Sequence, residues 1–132
     1  PNCIGAGDGK HVVMECPLNS GSNYFNYKGT FSLVLLAYGD ARYCFTAVDI
    51  GQYGKCNDSG AFSDSVLGYK FGNNSFNIPP PAPLHGFCSE DGKAPFVTVV
   101  DEGLALRKYQ MRPHPGRGLT EKKAIFNYRL SR

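Results

Sequence analysis

The sequence has no CxxC pair and no long apolar run, and each absence argues against a class of protein. Five cysteines are spread widely over the chain: Cys3, Cys16, Cys44, Cys56 and Cys88. Without a CxxC pair the zinc-ribbon class does not fit, and an odd, scattered set is a poor disulfide framework. No apolar run approaches the roughly 18 residues that a membrane span requires, so we expect no membrane partner. The cysteines predict reduced, mostly buried thiols of an intracellular protein, with a secreted disulfide protein as the alternative.

The composition is that of an ordinary globular protein in a single domain. The chain has 132 residues, of which 42% are apolar and 19% are charged, and this length can bury a core of its own. The formal net charge of +3 allows a polyanionic partner without requiring one. The chain begins with Pro1 rather than Met, and its last residues, FNYRLSR, read like the middle of a helix. We therefore expect one domain over residues 1–132 that is incomplete at its C-terminus.

Apolar segments bounded by turn residues predict the strands. We expect a strand over 3–16, a hairpin over 31–51 and a further strand over 96–101, because these segments are rich in β-forming residues and are separated by glycine and polar residues. A proline-rich extended connector is expected over 77–87.

Two helices are predicted from apolar spacing. Residues 61–71 have apolar side chains at roughly helical intervals, with Asp58 or Ser59 as the N-cap. A second helix is expected to begin with Thr120 as its cap, and its apolar side is formed by Ala124, Ile125, Tyr128 and Leu130. The order strand, hairpin, helix, strand, helix predicts a mixed α/β fold.

Two aspartates stand out because of where they fall in the predicted strands. Asp8 lies in the first strand, and Asp101 ends the segment FVTVVD, whose apolar run leads directly into it. If the two strands are neighbours, the carboxylates approach each other, and carboxylates that close repel unless they are protonated or bridged by a cation. Oxygen ligands of this kind suit Mg²⁺ or Mn²⁺. The alternative is that each acid caps a turn or pairs with a nearby base.

Six blocks of the chain resemble a known family, and they occur in the family's order. They are GAGDGKHVVMECP, NSGSNYFNYKGTFSLVLLA, AVDIGQYGKCNDSGAF, NIPPPAPL, VVDEGLALRKYQMRPHPGR and LTEKKAIFNYRLSR. Together they resemble the PIF/Harbinger-type DDE transposase-derived nucleases over essentially the whole chain. The resemblance implies a ribonuclease-H-like fold, in which a central mixed sheet is flanked by helices, with one acid on the first strand and another at the end of the fourth. It also implies metal-dependent cutting of DNA, with Mg²⁺ or Mn²⁺ as the cofactor.

The resemblance assigns roles to individual residues. Asp8 in DGKH matches the first catalytic aspartate of the family, and Asp101 in VDEGLAL matches the second, so both are expected to be catalytic and to bind the metal. The family's third acid is a glutamate roughly 35 residues past the second, on the helix that completes the metal ligands. Counted from Asp101, that position lies beyond Arg132. Glu121 and Glu102 are poor substitutes, so we expect this truncated chain to be weak or inactive.

Three further residues carry weaker signals. Asp58 in NDSGAF also matches a family block, and it is either a metal ligand or, more commonly for such a residue, a helix N-cap. His11 follows DGK and could contact a phosphate or a carboxylate, unless it is simply a polar residue with satisfied hydrogen bonds. Gly7 stands where the family usually has an apolar side chain, so we expect the first strand to pack less well there.

Basic residues are concentrated in one part of the chain, between residues 107 and 123. With an aromatic residue among them they predict contacts to a nucleic-acid backbone, whereas the alternative is a solvated loop and helix surface. The residues expected to bind nucleic acid are Lys10, His11, Arg107, Lys108, Arg112, Arg117, Lys122 and Lys123.

The sequence therefore predicts a transposase-derived, metal-dependent DNA endonuclease. The alternative is a domesticated, non-enzymatic module that binds DNA or protein. No helix-turn-helix pattern precedes Asp8, so sequence-specific recognition would need a separate DNA-binding partner protein. A DNA substrate and reduced cysteines together predict a nuclear protein, with the cytoplasm as the alternative.

Overall fold

The computed structural model describes residues 2–84 and 92–131 of the chain. The elements in chain order are β1 (Cys3–Val13), β2 (Ser32–Gly39), β3 (Phe45–Tyr53), α1 (Asp58–Asp64), α2 (Val66–Gly72), β4 (Ala82–Pro83), β5 (Lys93–Ala94), β6 (Val97–Val100), β7 (Gln110–Met111) and α3 (Glu121–Leu130). Five strands form one sheet in the order β3-β2-β1-β6-β7, and β4 pairs with β5 in a separate two-stranded sheet. The predicted mixed α/β class is confirmed.

The large sheet is antiparallel on one side of β1 and parallel on the other. β1 pairs antiparallel with β2, and β2 pairs antiparallel with β3, which confirms the predicted hairpin. β6 runs parallel to β1, and β7 runs parallel to β6. Because β6 is joined to the hairpin only through the two helices and the long segment after them, the chain crosses over before it returns beside β1.

The core lies between β2 and the helix pair α1–α2. In β2 every second residue is buried, as the two-residue period of a strand requires when one face is covered. The covering side chains include Phe62 of α1 and Phe71 of α2, whose rings lie 6.1 and 5.1 Å from the Tyr38 ring. Burial of a large apolar side chain contributes about 1.5–3 kcal/mol, so these rings hold the helices on the sheet.

The packing expected to be lost at Gly7 is supplied by Tyr38. A Cβ on Gly7 would overlap the Tyr38 ring, which lies directly across from it in the register between β1 and β2. The Tyr38 hydroxyl donates a hydrogen bond to the buried Gln110 Oε1 at 2.8 Å. The prediction of poor packing was wrong, because a neighbouring aromatic ring fills the space that the glycine leaves.

The single helix predicted over 61–71 is two short helices that meet at Ser65. The backbone of Ser65 is extended, with φ −84° and ψ 158°, and its hydroxyl donates to the Phe62 carbonyl while accepting from the Gly68 N–H. One serine thus ends α1 and caps α2. The N-cap of α1 is Asn57, whose side chain accepts from the Gly60 N–H at 2.7 Å. The prediction of Asp58 or Ser59 as the N-cap was therefore wrong by one or two residues.

Helix α3 begins after Thr120 as predicted, but its predicted apolar side is exposed. Thr120 makes no side-chain capping hydrogen bond, and α3 has no buried residue. Of the predicted side only Leu130 is half-buried, together with Phe126 and Asn127. The Phe126 ring lies 5.2 Å from the His114 ring, and the Asn127 amide exchanges two hydrogen bonds with the His114 backbone. The contact with the loop that contains His114 therefore orients α3. The spacing of the apolar residues in α3 did not predict this orientation.

The described cysteines are all unpaired, but most of them are not buried. Cys3, Cys16 and Cys44 are exposed and Cys56 is half-buried, so the prediction of mostly buried thiols was wrong. β1 ends at Val13, which leaves Cys16 in the following loop, and Cys44 lies in the hairpin turn. Cys88 and the end of the proline-rich connector, 85–87, lie outside the described residues. In the part of the chain that is described, no helix is both long and apolar enough to cross a membrane.

Candidate active site

Asp8 and Asp101 lie side by side on neighbouring parallel strands. Gly7 of β1 is the register partner of Val100, the last residue of β6, and each aspartate is the next residue along its chain. Both side chains are exposed. Each carboxylate accepts one backbone N–H: Asp8 Oδ1 from Gly9 at 2.8 Å and Asp101 Oδ1 from Gly103 at 3.0 Å. The strands β1 and β6 are therefore adjacent, and Asp101 lies one residue past the end of β6.

A third carboxylate, that of Asp58, reaches the same region from α1. Asp58 is the first residue of that helix, and its Oδ1 is buried without a hydrogen-bond partner among the described residues. A Cβ on Gly9 would lie 2.6 Å from this oxygen, so the carboxylate rests directly on the β1 backbone. Only a glycine at position 9 allows that approach.

The carboxylates of Asp58 and Asp101 both approach Gly103. A Cβ on Gly103 would be 3.2 Å from Asp101 Oδ1 and 3.3 Å from Asp58 Oδ2. The two oxygens therefore lie no more than about 6.5 Å apart. The loop that follows β6 contains both Asp101 and Gly103, and the missing side chain of Gly103 leaves space beside the two carboxylates.

The electrostatics of Asp58 reflect this crowding. Burial raises the pKa of the Asp58 carboxyl, the negative charges of Asp101 and Asp8 raise it further, and His11 opposes the shift. Asp101, His11 and Asp8 thus all act on the Asp58 carboxyl through space. The repulsion on a carboxylate in such surroundings is reduced when the carboxylate takes up a proton or binds a cation.

His11 is held beside these acids by a buried polar network. Its Nδ1 lies 2.9 Å from the Ser32 hydroxyl, and that hydroxyl accepts a hydrogen bond from the Asn26 amide at 2.8 Å. Ser32 is fully buried and Asn26 nearly so. The interpretation of His11 as a polar residue with satisfied hydrogen bonds is therefore correct for one ring nitrogen.

A cavity of about 400 Å³ opens next to Asp58. Its wall includes Lys10, His11 and Asp58, together with residues from the 24–30 turn and the β3–α1 connection. Neither Asp8 nor Asp101 is among the described residues that line it. We expected the carboxylates of Asp8 and Asp101 to face one pocket, and this cavity does not meet that expectation, because Asp58 is the acid on its wall.

The sequence model of the family described as DDE superfamily endonuclease matches residues 7–132. The chain belongs to this family. Searches of curated proteins and of solved structures each found no match. Membership indicates a nuclease of the hydrolase class, and the match begins one residue before Asp8 and continues through the loop that carries Asp101. The PIF/Harbinger subtype remains a prediction.

The donor set of this DDE superfamily member suits one hard cation better than two. No three His, Cys, Asp or Glu side chains within residues 2–84 and 92–131 converge as a metal-binding group. Asp58 Oδ2 and Asp101 Oδ1, which both lie beside Gly103, nevertheless fit a cation held by Asp58 and Asp101, since carboxylate oxygens are what Mg²⁺ and Mn²⁺ prefer. Water would complete such a coordination shell.

The basic residues predicted to bind nucleic acid are divided among several roles. Lys10 and His11 line the cavity. Arg107 packs over the Phe62 ring and donates to the Ser63 hydroxyl at 2.7 Å, while Arg112 donates to the carbonyls of Glu102 and Leu104. These two arginines help to hold the core and the loop after Asp101. The exposed members of the set are Lys10, Lys108, Arg117, Lys122 and Lys123.

Sequence reasoning missed three residues on the cavity wall, Tyr27, Lys28 and Lys55. Tyr27 and Lys28 lie in a polar connection that we interpreted only as a loop, and Lys55 follows β3. The available signal was an aromatic residue next to a lysine in a glycine-containing turn, NYKG. That signal is local, and nothing in it predicts that the turn folds back toward Asp58.

Proposed function

We propose that the chain is the catalytic part of a metal-dependent DNA endonuclease of the PIF/Harbinger type. The observation that carries the proposal is the pair of carboxylates around Gly103. Asp58 Oδ2 and Asp101 Oδ1 both lie beside Gly103. The other Asp58 oxygen, Oδ1, is buried without a hydrogen-bond partner among the described residues, and Asp8 follows Gly7, the register partner of Val100, on the neighbouring strand. Mg²⁺ or Mn²⁺ is the cofactor whose chemistry matches these oxygens.

The topology supports a ribonuclease-H-like fold. The sequence resemblance implies a mixed sheet with an acid on the first strand and another at the end of the fourth. In the large sheet the first strand in chain order is β1, which carries Asp8, and the fourth is β6, which Asp101 follows. The helix pair packs on one face of that sheet.

The residues have separable roles in the proposed reaction. Asp58 and Asp101 would hold the cation, and Asp8 would add negative charge at its side. When bound, the divalent ion would polarise a phosphate oxygen and favour ionisation of a water molecule. In the hydrolysis a water oxygen would bond to phosphorus as one P–O ester bond breaks, and the proton that the water gives up would pass to the leaving oxygen.

We propose that cleavage by these 132 residues is slow. A two-metal reaction requires enough carboxylates to hold both ions and neutralise their charge. Asp8, Asp58 and Asp101 do not form a closed ligand group among the described residues. The same observation favours the second candidate function, a non-enzymatic module that binds DNA or protein in the nucleus, working with a separate DNA-binding protein.

Plasmid cleavage under a metal titration tests the proposal. Supercoiled DNA is incubated with the chain and increasing Mg²⁺ or Mn²⁺, and nicked product is quantified for the wild type, Asp8→Asn and Asp64→Asn. Asp64 is an exposed acid at the far end of α1 and serves as the matched control. We expect slow, metal-dependent nicking that Asp8→Asn abolishes and Asp64→Asn leaves unchanged.

Two results would contradict the proposal. Nicking that persists in Asp8→Asn would show that the reaction uses other residues or comes from a contaminant. DNA binding of equal strength in the wild type and Asp8→Asn, with no cleavage under either metal, would establish the non-enzymatic module instead.

A further inference from the structure

We propose that the cavity beside Asp58 is a binding site for single-stranded DNA, in which an unpaired base stacks on Tyr27 and lysines contact the phosphates. The inference rests on the proposed function, because it names the form of the substrate that reaches the acids. It assigns a binding role to Tyr27, Lys28 and Lys55.

The turn that carries Tyr27 is a built structure, organised by one buried amide. Asn26 is only 3% exposed. Its Oδ1 accepts the backbone N–H groups of Lys28 and Thr30, and its Nδ2 donates to the hydroxyls of Thr30 and Ser32. Since a buried amide with so many partners fixes the backbone around it, Tyr27 and Lys28 are presented in a defined position.

Tyr27 is an aromatic side chain that the fold leaves in solvent. It is 82% exposed, and its ring meets the His11 ring edge to face, with the centroids 5.8 Å apart. Lys28 Nζ lies 5.5 Å from the centre of the same ring. An exposed ring with a cation beside it is the combination on which nucleic-acid bases stack in proteins that bind single strands.

The charges around the cavity favour an anion. Lys10, Lys28 and Lys55 line the wall, and Asp58 is the one acid among its described residues. Lys55 is held in place, because its Nζ donates to Asn23 Oδ1 at 2.8 Å and its backbone N–H donates to the Asn23 carbonyl. The volume of about 400 Å³ lies within the range of small-molecule sites, which suits one nucleotide with its phosphate.

An unpaired strand fits this site better than a duplex. Bases in a duplex are already stacked on their neighbours, so stacking on Tyr27 requires a base that is single-stranded or turned out of the helix. Asp58 and Gly103 both line the cavity. Gly103 also lies next to a carboxylate oxygen of Asp58 and one of Asp101. A strand held by Tyr27 and the lysines is therefore led to the carboxylates.

Binding measured without metal tests the site independently of cleavage. A short fluorescent oligonucleotide is titrated with the chain in EDTA and its anisotropy is followed, as a single strand, as a duplex and as a single strand with abasic sites. The double variant Tyr27→Ala/Lys28→Ala should weaken single-strand binding about tenfold, since each stacked base contributes substantially. Duplex and abasic strands should lose less than about threefold.

The chain provides a matched control in a second Tyr-Lys pair. Tyr69 and Lys70 are adjacent on α2, Tyr69 is 71% exposed, and Lys70 also lies over an aromatic ring. Tyr69→Ala/Lys70→Ala removes the same atoms away from the cavity and should leave affinity unchanged. Lys55→Ala should reduce the salt dependence of single-strand binding by about 0.7 in the logarithmic slope, the amount for one phosphate contact.

The outcomes separate this inference from the proposed function. Equal losses for the two double variants, or equal losses for intact and abasic strands, would overturn the stacking site. Preferential binding of the duplex would overturn it as well. A plasmid that is never cleaved, combined with Tyr27-dependent binding of single strands, would refute the nuclease and leave this site standing.

Discussion

Replacing Asp58 with asparagine should stabilise the metal-free protein while weakening its response to metal. The pKa of Asp58 is raised by burial and by Asp101 and Asp8. A carboxyl whose folded-state pKa is raised destabilises the fold when it is ionised, above that pKa. The penalty falls as the pH is lowered through the folded pKa, and it is absent below the ordinary value of about 3.9. Asp58→Asn removes the ionisable group and with it the penalty.

The magnitude follows from the geometry. At the upper limit of about 6.5 Å between the oxygens, the Asp58–Asp101 repulsion lies between about 0.6 and 2.5 kcal/mol for dielectric constants of about 80 and 20. Because both carboxylates are partly exposed, solvent screening favours the lower end. The amide also relieves the desolvation of the ionised carboxylate, which adds about 1 kcal/mol, and the favourable position of that charge at the N-terminus of α1 offsets about 0.5 kcal/mol. The net gain is about 1 kcal/mol, or roughly 3–4 °C in Tm for a domain of this size.

Thermal unfolding followed by circular dichroism checks this prediction. At pH 7 and low salt without metal, Asp58→Asn should melt above the wild type, and the difference should vanish near pH 3.5 (below the ordinary Asp pKa of about 3.9). Added Mg²⁺ or Mn²⁺ should raise the Tm of the wild type and of the control Asp64→Asn, but not that of Asp58→Asn. The reasoning is refuted if Asp58→Asn lowers the Tm at pH 7, or if metal stabilises it as much as the wild type.

Three further predictions concern the same region and the thiols. Asp101→Asn should weaken Mn²⁺ binding, measured by calorimetry, by roughly tenfold or more and remove any nicking, with an unchanged circular dichroism spectrum; unaltered affinity would exclude Asp101 as a ligand. Gly103→Ala should weaken Mn²⁺ binding roughly tenfold, because its methyl group would displace the flanking carboxylates. Gly72→Ala, where a Cβ meets open space, is the control, and equal affinities in the two variants would contradict the geometry. Thiol titration should find five groups in denaturant, with fast reaction in the folded state at the three exposed sites Cys3, Cys16 and Cys44; a total of one or three would indicate disulfides.

The local pattern of apolar and polar residues determined much of the architecture. The apolar run in SLVLLAYG predicted β2, and the turn residues after it predicted the hairpin, because runs of β-forming residues bounded by turn residues indicate strands. The apolar run ending in Asp101 likewise placed an acid at the end of a strand. The strand, the hairpin and the acid at the strand end depend on residues close in sequence. They do not depend on which other element packs against the sheet.

Only the tertiary structure decided where α1 begins and which distant residues approach each other closely. Asp58 looked like an N-cap, yet Asn57 caps α1, and the one-residue difference turns the Asp58 carboxylate onto the β1 backbone at Gly9. Its neighbour Asp101 is 43 residues further along the chain, so no local pattern relates them.

The same limit applies to the cavity and to α3. Tyr27 and Lys28 reach the wall because buried Asn26 folds their turn, and α3 exposes its apolar side because His114 contacts Phe126 and Asn127 instead. In each case a contact between distant segments selects one side of a short element, and the free energy of that contact is absent from the local sequence. The sequence by itself determined the main strands and the positions of Asp8 and Asp101 in the chain. The tertiary structure decided that Asp58 is the third acid near them and that the cavity with Tyr27 lies beside Asp58.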